Sequence, residues 1–254
     1  MASMIPKTYW LRSTIFNVVF YTYTLLGCIL AIPFLLLSPS AFVNIVVKTW
    51  CKGVHVLERV ILGLNYEIKG IEHLPESGPY IIAAKHQSPY ETLKLHLLFD
   101  MPSIILKKEL LSIPLFGWYL RKADLIAIDR SSKDAAMQSI QDGSKRAKSQ
   151  NRPIVIFPQG TRVNVDETTT DKPYKFGIVR IQEATELPII PMALNCGLFW
   201  SRSGWCKHPG TTVFEFLPPI PENMERADMM RDLKNDLEHA SNRLRDEELA
   251  KRSS

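Results

Sequence analysis

From Ser13 through Val47 the chain carries no charged side chain, and within that stretch Thr14 to Leu37 (TIFNVVFYTYTLLGCILAIPFLLL) is almost wholly apolar. About 20 such residues are enough to cross a bilayer as a helix, and core helices of soluble proteins seldom run this long without a charge. A retained membrane anchor is expected. A cleaved signal peptide is not, because its apolar region spans about 7 to 15 residues before a small-residue cleavage site. Here Ser38-Pro39-Ser40 follows instead.

The next stretch, Ala41 to Leu64, places Val43, Val46, Val47, Trp50, Val54, Leu57, Val60 and Ile61 at helical spacing. Lys48, Lys52, Glu58 and Arg59 fall on other faces, so a second, amphipathic helix is expected. Two arrangements fit: a spanning helix followed by an interfacial one, or a helical pair dipping into one leaflet with Pro33 and Ser38-Pro39 forming the bend. Basic residues flank both ends (Lys7 and Arg12, then Lys48 and Lys52), which leaves orientation weakly determined. Residues 1–63 are therefore read as an anchor and 64–254 as a separate domain.

A chain of 254 residues accommodates one large domain with such an appendage. With 46% hydrophobic and 22% charged residues, 17 Pro, 12 Gly and 4 Cys, it is neither disordered, collagen-like nor a disulfide scaffold. Its 31 basic against 26 acidic residues give a net charge of +5, which favours anionic partners. Nucleic acid is not expected among them, since the basic residues do not cluster with aromatics in a recognition motif. Cys28, Cys51, Cys196 and Cys206 form no C-x-x-C pair and no His stands at zinc spacing. Neither a metal site nor a secreted disulfide framework is suggested, and a reducing cytosolic setting fits.

After Gly63 short apolar runs alternate with Gly and Pro. Strands are expected at Tyr66–Lys69, Tyr80–Ala84, Ser103–Leu106, Leu125–Ile128, Ile154–Phe157, Ile189–Leu194 and Thr212–Phe216. Helices are expected at Pro89–Phe99, Ile113–Arg121, Lys133–Gln150, Gly177–Glu186 and Met224–Leu249. Alternation of this kind implies an α/β fold with a mixed, largely parallel sheet flanked by helices. Several strands run into polar tips: Lys85-His86, Lys107-Lys108, Asp129-Arg130 and Pro158-Gln159-Gly160. Ligands of open α/β folds gather outside strand ends, so these tips are expected to share one pocket.

His86 and Glu91 lie five residues apart, which on a continuous helix would separate them by about 140°. They can cooperate only across a turn, and Ser88-Pro89 supplies one, with Ser as N-cap and Pro in the first helical position. Glu91 would then fix the imidazole tautomer while the other ring nitrogen takes a proton from an alcohol. The competing reading is purely structural: Ser88-x-x-Glu91 is itself a capping-box pattern. In Phe157-Pro158-Gln159-Gly160-Thr161-Arg162, Arg162 and the backbone around Gly160 suit a phosphate, although an ordinary turn with a solvated Arg fits the same residues.

Taken in order, four blocks resemble the glycerolipid acyltransferases of the lysophosphatidate (1-acylglycerol-3-phosphate) type. They are Lys85–Glu91, similar to that family's His-x4-Asp block; Lys107–Gly117 continuing to Ile128-Asp129-Arg130; Phe157–Arg162, similar to Phe-Pro-Glu-Gly-Thr-Arg; and Leu187–Asn195. The likeness covers roughly Tyr66 to Pro219. It implies that His86 is the general base deprotonating the free hydroxyl of a lysophospholipid and that Glu91 orients it. The acyl group would come from a thioester on coenzyme A or acyl carrier protein, with no covalent acyl-enzyme, no cofactor and no metal. It also implies that Lys107, Arg130, Thr161, Arg162 and the Gly160 backbone surround the substrate phosphate, with Gln159 counted among the substrate-binding residues. Lys175 adds positive charge where the family pattern is loose, and is left out of the site. A bacterial inner-membrane location with the site facing the cytoplasm follows from the same likeness.

Two positions depart from the family pattern, Glu91 for Asp and Gln159 for Glu. The longer Glu91 calls for a different rotamer, a small helix shift or a bridging water, and Gln159 removes a negative charge. These departures keep open an acceptor other than 1-acylglycerol 3-phosphate, and a non-catalytic lysolipid-binding protein. A serine hydrolase ranks last, because no Gly-x-Ser-x-Gly elbow occurs.

Overall fold

The computed structural model describes residues 7–33, 40–129, 131–167 and 169–253. The N-terminal region is a pair of helices, α1 (Lys7–Leu30) and α2 (Ser40–Leu57). Helix α1 begins before the expected start and stops short of Pro33, while 34–37 of the expected span and Ser38-Pro39 lie outside the described residues. Among the described helices α1 alone is long and apolar enough to cross a membrane.

Helix α2 runs into a π-helical turn, Glu58–Leu62, closed by Gly63 in the left-handed region at φ 68°. A side chain there would be strained and would press on Arg12, whose Nε donates to the Ile61 carbonyl at 2.6 Å. The wider turn changes which residues face inward. Glu58, expected on a polar face, is fully buried and paired with the equally buried Lys94. The reason is the partner: the Lys94 ammonium also lies 4.3 Å from the Tyr90 ring centre, so the charge of Glu58 enters the interior already neutralised.

Seven strands form one sheet: β1 (Leu64–Lys69), β2 (Ile81–Ala84), β3 (Ser103–Lys107), β4 (Ile126–Ile128), β5 (Ile154–Ile156), β6 (Ile189–Leu194) and β7 (Gly210–Phe216), in the order β1-β7-β6-β2-β5-β3-β4. Pairings among β6, β2, β5, β3 and β4 are all parallel, β6–β7 is antiparallel, and β7–β1 is parallel. Five neighbouring strands therefore end on the same edge of the sheet. Four of those ends carry the polar tips noted in the sequence.

Alternation along β2 divides the interior into two layers. Ile82 and Ala84 face a cluster containing Tyr90 and Leu95 of α3 (Pro89–Leu98). Ile81 and Ala83 face α5 (Lys133–Ser149), α6 (Gly177–Thr185) and the long C-terminal α7 (Arg226–Ser253). A short α4 (Phe116–Lys122) starts three residues later than expected, because Leu115 adopts φ 62° and breaks the helical run. Its Tyr119, and Ala123 just beyond its end, pack on Ala31 and on Val43 of α2.

Packing crosses the expected boundary at residue 63. Phe16 and Leu62 belong to the same buried cluster as Leu64, Ile82 and Ile190. On α1 only Ser13, Phe16 and Asn17 are buried. They meet Lys207, whose Nζ donates to Asn17 Oδ1 at 2.8 Å and whose backbone N–H donates to Ser13 Oγ at 2.8 Å. One stripe of α1 is thus docked on the α/β body, while Val18, Tyr21, Leu25, Leu26 and Ile29 are exposed.

Candidate active site

His86 leaves the end of β2 on the face of Ile82 and Ala84, and Glu91 sits in the first turn of α3. The chain turns between them at Ser88, an extended residue whose Oγ accepts the Tyr90 N–H at 3.0 Å, with Pro89 opening the helix. His86 Nδ1 lies 2.6 Å from Glu91 Oε1. That oxygen also accepts the backbone N–H groups of Gln87 at 3.1 Å and Ser88 at 2.9 Å. The dyad and the capping box are therefore one construction. The extra methylene of Glu91 is absorbed without a bridging water.

A carboxylate on Nδ1 places the proton there and leaves Nε2 as the basic nitrogen. Glu91 is fully buried and the His86 side chain 15% exposed, so the imidazole reaches the cavity while the carboxylate bonded to it is shielded from water. Phe157, at the end of β5, stacks on the imidazole with ring centres 4.0 Å apart and fixes its plane. Behind the loop, the Val163 N–H donates to the His86 carbonyl at 2.7 Å.

His86 opens onto a cavity of about 1750 Å³ that extends from the strand ends to the N-terminal helices. At one end its wall includes Lys107, Gly160, Thr161, Arg162, Lys175, Arg180 and Arg202, and no described lining residue is a carboxylate. At the other end it is formed by apolar side chains of α1, α2, β3 and α4, among them Leu30, Val46, Trp50, Ile104, Phe116 and Leu120. Lysophospholipids and long-chain acyl groups have that same division, an anionic or polar head and an apolar tail.

The expected anion-binding residues are not all placed alike. Lys107 is exposed at the end of β3 and lines the cavity, as do Thr161 and Arg162. Arg162 Nε is buried with no acceptor among the described residues. Gly160 has φ 68°, and a Cβ there would stand 3.1 Å from Lys175 Nζ, so glycine lets that lysine approach the loop. Arg130 lies outside the described residues. Gln159 is not among the cavity-lining residues; its Nε2 donates to the Lys172 carbonyl at 3.1 Å, and its Oε1 is buried with no partner among the described residues. At a tight turn successive side chains diverge, and the Gln159 amide N–H tethers the following segment.

That tethered segment carries what the sequence reading set aside. Lys175 N–H donates to Pro158 O at 2.9 Å, which brings its ammonium to the cavity wall. Tyr174 is anchored by its hydroxyl to Glu238 Oε1 of α7 at 2.8 Å, and the other oxygen of Glu238 accepts Lys85 Nζ at 2.8 Å. Burial and the Glu238 charge push the Tyr174 hydroxyl well above its usual range, keeping it a donor. Arg180 and Arg202 were also missed, although both are held by carboxylates, Glu183 and Glu167. The Tyr174-Lys175-Phe176-Gly177 run was the one sequence signal for this wall. On the β3–β4 side, Lys108 pairs with Asp129 at 2.7 Å and holds that carboxyl far below its ordinary value.

A family model described as Acyltransferase matches residues 65–195. A 1-acyl-sn-glycerol-3-phosphate acyltransferase of Pseudomonas aeruginosa is 36% identical over 196 residues, covering 70% of this chain and 75% of that protein. One from Saccharomyces cerevisiae is 29% identical over 175 residues, covering 68% of this chain and 57% of that one. The crystal structure of the 1-acyl-sn-glycerophosphate acyltransferase from Thermotoga maritima shares the fold, with a TM-score of 0.75 at 18% identity, over 93% of this chain and 97% of that one. Through the match spanning β1 to the end of β6, with the dyad and the cationic loop inside it, the chain belongs to the acyltransferase family.

Proposed function

We propose that the protein transfers an acyl group from an acyl thioester, on coenzyme A or acyl carrier protein, to the free hydroxyl of 1-acylglycerol 3-phosphate, giving phosphatidate. The observation that carries this reading is the single cavity joining His86, a carboxylate-free cationic wall and an apolar channel. The names of the relatives support the same acceptor.

In this reaction Nε2 of His86 takes the acceptor hydroxyl proton as the oxygen attacks the thioester carbonyl. The new C–O bond forms, the C–S bond breaks, and the imidazolium returns the proton to the leaving thiolate. The Glu91 carboxylate stabilises the imidazolium formed between these steps. Because the thioester is already activated, positioning and a base suffice, and no acyl-enzyme is required. Lys107, Arg162 and Lys175 hold the phosphate, with Arg162 offering the planar, paired donors that phosphate oxygens accept.

The exposed apolar side chains of α1, together with Val56 and Val60, support a membrane-bound protein whose helical pair lies in the bilayer beside its lipid substrate. Acyl thioesters are made in the cytoplasm, which puts the site on the cytoplasmic face, in bacteria that of the inner membrane. The test is thiol release from an acyl-coenzyme A when 1-acylglycerol 3-phosphate is added to detergent-solubilised protein, with a panel of other lysolipids and His86→Ala in parallel. Release that depends on this acceptor and disappears in the variant supports the reading. Release with another lysolipid alone would replace the acceptor, and saturable binding without release from any donor would leave a lipid-binding protein.

A further inference from the structure

Most polar groups in the apolar part of the cavity wall are satisfied within the protein. The Thr24 hydroxyl donates to Phe20 O at 2.7 Å and accepts Trp50 Nε1 at 3.3 Å, and the Tyr119 hydroxyl donates to Cys28 O at 2.8 Å. Two side chains of α3 differ. Among the described residues, Thr92 Oγ1 is buried with no hydrogen-bond partner, and the half-buried His96 ring lines the same cavity without a hydrogen-bond partner. Both line the cavity, one helical turn apart, with a rise of roughly 6 Å between them.

Burial, reinforced by the nearby charges of Arg152 and Lys48, pushes His96 down to about 4. Its ring is therefore neutral at physiological pH, with one N–H donor and one acceptor nitrogen. Thr92 adds a hydroxyl that can donate and accept. An unsubstituted hydrocarbon chain in this channel leaves both groups unpaired, a costly arrangement in a low-dielectric wall. A chain carrying oxygen at that depth of the channel pairs with them, and Thr92 lines the same cavity as His86.

We propose that Thr92 and His96 form a polar subsite in the apolar channel that recognises an oxygen substituent, a hydroxyl or ester oxygen, on a fatty chain. The hydroxyl of such a chain accepts from Thr92 and donates to the free ring nitrogen of His96. The inference rests on the acyltransferase reading of the same cavity. The chain can belong to the acyl donor or to the lysolipid, since both present the same chemistry.

The experiment uses the full chain in detergent. A 3-hydroxy fatty acid and its unsubstituted counterpart of equal length compete against a fluorescent fatty acid. Turnover is then measured with a 3-hydroxyacyl-coenzyme A and a plain lysolipid, and with the substituents exchanged, which identifies the chain that is read. The expected result is a preference of about tenfold for the hydroxylated chain, the scale of one hydrogen bond to a buried group. In Thr92→Val, and separately in His96→Leu, that ratio falls toward one. Thermal unfolding of both variants checks the fold, and Thr92→Val preserves the side-chain shape. No preference in the wild type, as when a water satisfies the pair, or a preference that survives both substitutions overturns the subsite. A preference in binding with no turnover from any donor leaves the subsite standing and removes the acyltransferase reading. Normal turnover without preference does the reverse.

Discussion

His86 Nδ1 and Glu91 Oε1 meet at 2.6 Å, and the oxygen that bonds the imidazole also caps the helix carrying Glu91. In the proposed reaction, catalysis and local stability are tied to one atom. Substitutions at 91 separate the two because they remove charge and hydrogen-bonding capacity to different extents.

Glu91→Gln keeps an oxygen to accept the Ser88 N–H but removes the charge facing the imidazolium. The expected outcome is a fall in kcat of about 100-fold, within the usual reach of general-base catalysis, at nearly unchanged thermal stability. Glu91→Ala loses the cap as well and should cost about 1 kcal/mol of stability. Thiol-release kinetics and a denaturation curve on the same preparations distinguish the two effects.

Arg162→Ala should raise the KM for 1-acylglycerol 3-phosphate by roughly tenfold to a hundredfold, as expected for a charge-assisted hydrogen bond. Arg162→Lys should restore only part of it, since an ammonium lacks the paired donors. Lys175→Ala should move KM in the same direction. Steady-state titration of the acceptor at saturating donor checks all three.

The Glu58–Lys94 pair is fully buried, and Glu58 Oε1 has no partner among the described residues. Removing one charge alone, as Glu58→Gln or Lys94→Met, should destabilise by roughly 3 to 5 kcal/mol. Replacing both by methionine should recover most of that loss. Chemical denaturation of the two single variants and the double variant reads the coupling directly.

Lys207 is 4% exposed beneath α1 and lies 4.7 Å from the Trp200 ring centre. Burial pushes its ammonium down to about 8 from an ordinary value of 10.5, against a weak upward pull from Cys206. Between those two values the unfolded chain binds more protons than the folded one, so stability rises with pH through that window and is level below it with respect to this group. Unfolding measured from pH 7 to 10.5 should show the rise, and Lys207→Met should flatten it.

Leu25, Leu26 and Ile29 are exposed on α1 and do not line the cavity. Replacing all three by glutamate should leave the folded core intact. It should lower partitioning to phospholipid vesicles by at least 100-fold, since each buried leucine or isoleucine is worth about 1.5 to 3 kcal/mol. Vesicle flotation followed by circular dichroism of the unbound fraction tests both halves.

Local sequence pattern was sufficient for the elements and their order. Short Ile-, Val- and Phe-rich runs between Gly and Pro located all seven strands to within about two residues, and the Ser88-Pro89 signal placed the start of α3. Strand ends on a common edge follow from a parallel sheet, so the meeting of His86, Lys107 and the Phe157–Arg162 loop could be anticipated from pattern alone. The orientation of each side chain at that edge could not. Gln159 and Arg162 are three residues apart in one turn, yet one ties down the chain and the other lines the cavity. Glu58 read as a surface charge until Lys94, 36 residues away, was brought beside it. Lys175 became part of the wall because Pro158, Gln159 and Glu238 together hold its segment there. Thr92 and His96 stand out only against a channel whose other walls come from α1, α2 and α4. A residue's neighbours in sequence determine its conformational preference and the face it occupies. Its dielectric surroundings and its partners are contributed by distant segments, and in this protein those decided which charges are buried and which donors remain for a ligand.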